Sequence, residues 1–289
     1  MVIDMKINLI EANQDLGVKV DGANLGPHVL TEHFKNLDIK VVNKPNIEKE
    51  RDRKNRKKNL DGVNKFDEDL YKVIDNIKEN NEFPLTIGGD HTIAIATSLA
   101  SIKNEESLGI IWIDAHGDYN TFETTITGNL HGLPLAAVNG QCPLLTEFHH
   151  GNFFKHTNTV IVGGRDIDDW EMPNLIKDNI KVFTTHDIHR YGVKHIMDEA
   201  FRIASQGTNG VHISYDLDVI DPLLAPGVSV PAIAGISLDE AYQITDEIIE
   251  HKDLVKSMDL VEYNPTRDID DKTKDIAINI LEKVIKELS

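Results

Sequence analysis

Residues 109–120, GIIWIDAHGDYN, indicate both the fold class and the chemistry of this chain. The first five residues, Gly109–Ile113, are mostly apolar and predict a buried strand. Asp114, His116 and Asp118 follow at alternate positions. Because successive side chains of a strand point to opposite faces, this spacing places all three on one side. Ionised carboxylates are costly to bury without a partner, so the end of this strand predicts a site that supplies one.

Short apolar runs recur along the chain and alternate with stretches of helical length. The strand candidates include KINLIE, FPLTIGGD, LGIIWIDAHGD, TVIVGGRD, IKVFTTHD, GVHISYDLD and VKSMDLVEYNP. The predicted helices cover residues 66–80, 92–103, 194–205, 237–251 and 271–288. Strands that alternate with helices indicate βαβ units and a parallel sheet covered on both faces. We therefore expect an α/β fold, and since no linker or internal repeat interrupts the pattern, one domain over residues 1–289.

Composition limits the partners of the chain. A formal net charge of −18 over 289 residues repels nucleic-acid backbones and anionic membranes. One basic run, KERDRKNRKK at residues 49–58, is interpreted as a solvated loop or helix face. The single cysteine, Cys142, excludes an intrachain disulfide and is interpreted as structural. The chain starts without a secretory leader pattern and contains no apolar segment of spanning length, so we expect a soluble, cytoplasmic protein.

Five predicted strands end in acidic residues or histidine. These ends are Gly88-Gly89-Asp90-His91, Asp114-Ala115-His116-Gly117-Asp118, Arg165-Asp166, Asp216-Leu217-Asp218 and Glu262. In open α/β sheets the functional crevice lies outside the carboxyl ends of the strands. We therefore expect these side chains to converge at one edge of the sheet. Each motif alone is also compatible with a turn or a helix cap.

The carboxylates expected to converge at this edge need positive charge nearby to stay ionised. Asp114, Asp118, Asp216 and Asp218 cannot all stay ionised at close range without it. Two divalent cations would balance the four charges, with His91 and His116 as neutral nitrogen ligands. Oxygen-rich ligand sets without cysteine favour manganese- or magnesium-like ions over structural zinc. Because two such ions lower the pKa of a bridging water, the pattern predicts a binuclear metal centre for hydrolysis.

Four segments resemble the ureohydrolase family, most closely its arginase members. They are GGDHTIA, WIDAHGDYNTFETTITGNLHGLPLA, ISYDLDVIDPLLAPG and MDLVEYNP. The resemblance implies a three-layer αβα sandwich of the arginase/deacetylase type, formed by a single ureohydrolase domain over residues 1–289. It also implies two Mn²⁺ ions per chain, a small guanidino substrate and a homo-oligomer, either a trimer or a hexamer.

The resemblance assigns roles to individual residues. One ion would be held by His91, Asp114, Asp118 and Asp216, and the other by His116, Asp114, Asp216 and Asp218. The catalytic residues would be His131 as proton shuttle, Asp118 as relay for the hydroxide proton and Glu262 as partner of the guanidinium group. The remaining substrate-binding residues would be Asn120, Thr127 and Asn129, with Asp168 and Glu171 at the α-amino group.

The implied reaction is cleavage of L-arginine to L-ornithine and urea by a metal-bridging hydroxide. Two alternatives stay open: another ureohydrolase (an agmatinase, formimidoylglutamase or guanidino-acid hydrolase), or a metal-binding fold without catalysis. Thr127 stands where arginases usually have serine, Ser229-Val230 replaces a glycine and a threonine, and Tyr263 replaces a valine. These departures leave the exact guanidino substrate open. Other aromatic and histidine residues are assigned to packing or solvent: Trp112, Trp170, His149, His150, His156 and His186.

Overall fold

The computed structural model describes residues 6–103, 105 and 107–288. The expected domain, residues 1–289, thus includes residues 1–5, 104, 106 and 289, which lie outside the described residues. The strands of the described part are β1 (Ile7–Asn13), β2 (Ile39–Asn43), β3 (Phe83–Gly88), β4 (Gly109–Ile113), β5 (Thr159–Gly164), β6 (Lys181–Thr184), β7 (Val211–Asp216) and β8 (Val255–Val261). The α-helices are α1 (Gly26–Thr31), α2 (Leu60–Glu79), α3 (Ile93–Lys103), α4 (Pro134–Val138), α5 (Met172–Lys177), α6 (Thr185–Tyr191), α7 (Val193–Ala204), α8 (Leu238–Glu250) and α9 (Lys272–Leu288).

The strands form one sheet in the order β2-β1-β3-β8-β7-β4-β5-β6, and every described pair is parallel. The last strand of the chain, β8, is inserted between β3 and β7. It pairs with β3 through Leu85 opposite Met258, and with β7 through Tyr215 opposite Leu260. The predicted α/β fold with a parallel sheet is confirmed.

Helices cover both faces of the sheet, as the alternation of side chains in β4 shows. Ile111 and Ile113 belong to a buried cluster that also contains residues of α1, α6, α7, α8 and α9. Ile110 and Trp112 belong to a second cluster on the opposite face, together with residues of α2, α3 and α4. A strand buried on both sides reads as a continuous apolar run, as in GIIWI. The three-layer αβα sandwich is therefore confirmed.

The longer helices match the predicted ones, with shifts at their ends. Helix α2 begins at Leu60, six residues before the predicted start at 66, because Asn59 adopts a left-handed conformation with φ of 61° and ends the preceding loop. Helix α8 begins after Ser237, whose hydroxyl accepts the Glu240 N–H while the Glu240 carboxylate accepts the Ser237 N–H. The short helices α1, α4 and α5 each begin next to a proline and are too short to show a periodic pattern.

Three composition-based expectations can be compared with the structure. Cys142 is buried and free. The interpretation of residues 49–58 as a solvated face is wrong for two of its lysines, because Lys58 is 2% exposed and the Lys49 side chain is 8% exposed. Across the described residues, no helix combines the length and apolar character needed to cross a bilayer.

The topology positions the candidate site. Strands β3, β8, β7 and β4 are neighbours at the centre of the sheet. Their carboxyl ends lead directly to His91, Glu262, Asp216 and Asp114. Parallel strands bring these ends to one edge, which is where the predicted site residues meet.

Candidate active site

A first group of donor atoms surrounds His91. The His91 Nδ1 atom lies 3.1 Å from Asp114 Oδ2, 3.2 Å from Asp118 Oδ2 and 3.0 Å from Asp216 Oδ2. His91, Asp114 and Asp118 each offer a ligand atom within 4.8 Å of the other two. All four side chains are buried. The structure thus brings together the four residues assigned to one ion.

A second group surrounds His116. Its Nδ1 atom lies 3.3 Å from Asp114 Oδ1 and 3.1 Å from Asp218 Oδ2. Asp114 therefore presents one carboxylate oxygen to each group. Asp216 Oδ1 accepts the backbone N–H of Asp218 at 2.8 Å, which fixes the turn that carries both acids. The second group contains three of the four residues assigned to the other ion.

The donor set fits divalent cations. Within the described part of the chain, the buried His91 Nδ1 makes no hydrogen bond of acceptable geometry, although three carboxylate oxygens surround it. A buried nitrogen at the focus of several carboxylates is unsatisfied as a hydrogen-bonding group but well placed as a metal ligand. Carboxylate oxygens with two imidazoles and no thiolate suit manganese or magnesium better than structural zinc.

Residues behind the predicted metal ligands orient them. His91 Nε2 lies 2.9 Å from Ser214 Oγ, and the Ser214 hydroxyl donates to Asp259 at 2.6 Å. The Trp112 ring stacks on the His91 ring at 4.0 Å, and the Trp112 indole N–H donates to Asp114 Oδ2 at 2.9 Å. Trp112 therefore packs as predicted and also orients a ligand. The sequence reasoning missed Ser214, although its position two residues before Asp216 on β7 places it on the same face.

The crowding of acids perturbs their pKa values. Burial, together with the charge of Asp114, raises the pKa of Asp118 to about 6. Burial also raises the pKa of Asp216 well above its ordinary value, with repulsion from Asp218 adding to the effect. For His91, burial lowers the pKa, but the surrounding carboxylates outweigh it and raise the pKa well above its usual range. These directions show an excess of negative charge that only protons or cations can neutralise.

Two site carboxylates lie on strained backbone. Asp118 has φ of 47° and Glu262 has φ of 69°, both in the left-handed region. Such a conformation raises the free energy of a residue with a side chain by about 1–3 kcal/mol, and it persists only where the surrounding structure enforces it. For Glu262 the surroundings include the Gly89 carbonyl, which accepts the Glu262 N–H at 2.7 Å. Strain of this kind concentrates at functional sites.

Glu262 lies next to His131. Its Oε1 atom accepts the backbone N–H of His91 at 3.0 Å and lies 3.1 Å from His131 Nδ1. Burial favours the neutral acid, but the hydrogen bond from His131 outweighs it and lowers the pKa of Glu262. Burial lowers the pKa of His131, and Glu262 more than offsets this and raises it. The second carboxylate oxygen, Oε2, is buried and has no hydrogen-bond partner among the described residues.

A cavity of about 210 Å³ opens above this cluster. Its walls contain predicted metal, catalytic and substrate residues: His116, Asp118, Asn120, Thr127, Asn129, His131, Asp168 and Glu171. The Asn129 Oδ1 atom is buried without a partner. Val230, one of the departures from the family pattern, also lines the cavity. The predicted substrate residues other than Glu262 therefore share one cavity with two members of the donor cluster, His116 and Asp118. Glu262 does not line this cavity and touches it through His131.

Glu171 organises one wall of the cavity. It is 2% exposed and accepts the backbone N–H groups of Asp168 at 2.9 Å and of Tyr119 at 2.8 Å. Asn120 Nδ2 donates to Glu171 at 3.3 Å and to Asp168 at 3.1 Å. Burial raises the pKa of Glu171 to about 8. A Cβ atom at Gly117, which lies between His116 and Asp118 in the sequence, would be 2.8 Å from Glu171 Oε1. Any residue larger than glycine at this position therefore requires the Glu171 carboxyl group to move.

Comparisons with known proteins agree with this geometry. The family model described as "Arginase family" matches residues 5–286. The arginase of Staphylococcus aureus strain COL is 35% identical over 288 residues, covering 95% of each chain. The native structure of Bacillus caldovelox arginase aligns with a TM-score of 0.88 and 33% identity, covering 98% of this chain and 99% of that one. Entamoeba histolytica arginase, solved with L-ornithine, aligns with a TM-score of 0.89 and 28% identity, covering 98% and 99%. The predicted resemblance is confirmed, and the chain belongs to the arginase family.

Proposed function

We propose that this protein hydrolyses L-arginine to L-ornithine and urea at a pair of Mn²⁺ ions. One observation carries the proposal: a single cavity joins the carboxylate–histidine cluster to a wall of polar side chains suited to an α-amino acid. Family membership and the similarity to proteins named arginase support it. The Entamoeba histolytica structure with L-ornithine supports the same product.

Glu262 accounts for recognition of the guanidinium end. Its Oε2 atom is buried and unpartnered, and an ionised carboxylate there is a strong acceptor for the planar fork of guanidinium N–H donors. Because Oε1 is held by the His91 N–H, the carboxylate has a fixed orientation. Glu262 would therefore place the guanidinium carbon next to the ligand cluster formed around Asp114.

The polar wall accounts for recognition of the amino-acid end. Asp168 and the unpartnered Asn129 Oδ1 supply acceptors for an α-ammonium group. The Thr127 hydroxyl would donate to the α-carboxylate, and the Asn120 amide would do so in exchange for its bond to Asp168. Glu171 supports this wall from behind through its bonds to Asp168 and Asn120.

Bound Mn²⁺ ions would supply positive charge and lower the pKa of a water molecule so that hydroxide is available at neutral pH. His91, Asp114, Asp118 and Asp216 would hold one ion, and His116, Asp114, Asp216 and Asp218 the other. The His131 ring is anchored at Nδ1 by Glu262, which leaves Nε2 to deliver a proton to the leaving amine of ornithine. Asp118 lines the cavity and would take the proton lost by the water.

A second candidate is hydrolysis of another guanidino or formimino compound by the same machinery. Val230 favours it, because an apolar side chain lines the cavity where a hydroxyl would help to bind the arginine guanidinium. A metal-binding fold without catalysis is the third alternative, and it gives no role to the unpartnered Glu262 Oε2.

Urea release from the Mn²⁺-loaded protein tests the proposal, with L-arginine and agmatine in parallel. We expect release from L-arginine, little from agmatine, and loss of activity in Asp118→Ala. Turnover of agmatine but not arginine would favour the second candidate. No turnover of either, with two ions bound per chain, would direct the assay to formimidoylglutamate and other guanidino acids. Hydrolysis of formimidoylglutamate would be measured as release of glutamate and formamide, since this substrate yields no urea.

Three further features belong to the proposal. Two Mn²⁺ ions per chain and a homo-oligomer (trimer or hexamer) come from family resemblance, and a cytoplasmic location is expected from the sequence, in which the single cysteine suits a reducing compartment. Metal analysis after dialysis and light scattering of the purified protein test the first two. Fractionation of the source cells tests the third.

A further inference from the structure

The basic run at residues 49–58, here called the basic segment, is anchored to the loop after β1. Arg51 Nη2 donates to both carboxylate oxygens of Asp21, at 2.6 and 2.9 Å, and Arg51 Nη1 donates to the Lys19 carbonyl at 3.0 Å. Lys49 Nζ lies 3.1 Å from Asp21 Oδ1. The first half of the basic segment is therefore fixed to residues 19–21.

The second half of the basic segment contacts residues 120–129, here called the substrate loop because it carries Asn120, Thr127 and Asn129. Arg56 Nη1 donates to the carbonyls of Glu123, at 2.6 Å, and Phe122, at 3.3 Å. Lys58 Nζ donates to the Thr127 carbonyl at 2.7 Å. These bonds hold the backbone of the loop and leave its side chains free to line the cavity.

Gly128 shows how closely the two segments approach. Its φ of +66° lies in the left-handed region, and a Cβ atom there would lie 2.4 Å from the Asn55 carbonyl oxygen. The backbone of the basic segment at residues 55–56 thus lies directly against the loop, close to the side-chain contacts of Arg56 and Lys58. A loop with this support has few alternative positions.

Charge gives the contact a second consequence. The cavity wall contains the carboxyl groups of Asp166 and Asp168, and their negative charge opposes entry of an α-carboxylate. Lys58 is buried behind Thr127, one of the residues proposed to bind that carboxylate. A cation in a poorly solvated position acts over a longer distance than a surface cation.

We propose that Arg56 and Lys58 are positioning residues for the α-amino-acid end of the substrate. They hold the substrate loop through its carbonyl groups and place positive charge behind the carboxylate-binding residues. This inference rests on the proposed function, since it assumes a substrate with an α-amino-acid end.

Steady-state kinetics of the Mn²⁺-loaded protein test the inference. For Lys58→Met and Arg56→Met we expect KM for L-arginine to rise about tenfold, the size of effect that loss of one charge-assisted hydrogen bond produces. We expect kcat to stay within about twofold, because neither residue contacts the reacting atoms. Inhibition by agmatine, which keeps the guanidinium group and lacks the carboxylate, should change less than twofold.

Two variants serve as controls. Lys54→Met removes the same charge from an exposed position of the basic segment and should leave KM unchanged. Lys58→Arg keeps the charge and a donor and should restore KM to within about threefold. Arg56 is exposed, so Arg56→Met keeps the test available if Lys58→Met does not fold.

Amide hydrogen exchange of residues 121–128 gives a readout that needs no turnover. We expect exchange to be about tenfold faster in Lys58→Met and Arg56→Met, and unchanged in Lys54→Met. Unchanged KM and exchange in both positioning variants, or equal weakening of arginine and agmatine, would overturn the inference. A wild-type protein that hydrolyses no arginine would instead overturn the proposed function, while the exchange measurement would still decide whether the basic segment supports the loop.

Discussion

Replacement of Gly117 by alanine should weaken arginine binding without removing the metal ions. The new Cβ atom would lie 2.8 Å from Glu171 Oε1 and 3.0 Å from Oε2, inside the contact distance of about 3.5 Å for non-bonded atoms. The carboxyl group must therefore move by about 0.5–0.7 Å. Movement of this size breaks or stretches the bonds that Glu171 accepts from the N–H groups of Asp168 and Tyr119, now 2.9 and 2.8 Å long.

The magnitude follows from the substrate contact that moves with the Glu171 wall. A hydrogen bond to a charged group, such as the proposed one between Asp168 and the α-ammonium group, contributes about 1.5–3 kcal/mol. A loss of about 2 kcal/mol corresponds to roughly a 30-fold change in affinity. We expect KM for L-arginine to rise by about that factor in Gly117→Ala, with kcat within about threefold and the metal content unchanged.

Gly132→Ala provides the matched control, because Gly132 lines the same cavity and a Cβ atom there has no neighbour within 4 Å. It adds the same methyl group without touching Glu171. Steady-state kinetics and metal analysis of both variants make the comparison. An unchanged KM in Gly117→Ala, or an equal loss in Gly132→Ala, would refute the role assigned to the Gly117–Glu171 contact.

Three other substitutions test separate features. Glu262→Gln keeps the shape of the side chain but removes the charge that would face the guanidinium group. We expect kcat/KM for L-arginine to fall at least about 100-fold while both ions are retained. Unchanged kinetics would contradict this prediction. His91→Ala should lower the Mn²⁺ content measured after dialysis from about two to about one per chain. Asp67 is buried without a hydrogen-bond partner, and burial raises its pKa well above 3.8. The proton on Asp67 stabilises the folded wild-type protein fully below pH 3.8, and this stabilisation is lost as pH rises through the folded pKa. Between these two pH values the free energy of unfolding of Asp67→Asn should therefore rise, relative to that of wild type, by about 1.4 kcal/mol per pH unit. The same pH dependence of the unfolding free energy in both proteins would contradict this prediction.

Local patterns explain why much of the fold and of the residue grouping could be predicted. The apolar run Gly109–Ile113 predicts β4 because a strand buried on both faces needs no polar side chain. Acids at the carboxyl ends of parallel strands must share one edge, so Asp114 and Asp216 could be grouped without knowledge of the strand order. The alternation of Asp216 and Asp218 gave the second metal motif in the same way.

Features that depend on distant segments could not be predicted. The fit of Glu171 against Gly117 requires the loop after β5 to fold over the loop after β4. The burial of Lys58 depends on the path of the substrate loop, whereas its neighbours in sequence indicate a solvated run. The left-handed backbone of Glu262 is likewise enforced by its surroundings, since glutamate has no preference for that region.

The insertion of β8 between β3 and β7 affects how this protein can be made. His91 follows β3 and Asp216 ends β7, and within the described sheet these two strands are bridged by β8 (Val255–Val261). A ribosome releases that segment after all six donor residues have already emerged. The growing chain therefore contains every predicted ligand residue before the sheet that brings them together is complete. In a fragment that stops before Val255, the strand that leads to His91 lacks its pairing with the part of the sheet that carries Asp216. The proposed metal ions would thus bind only after nearly the whole chain has been synthesised.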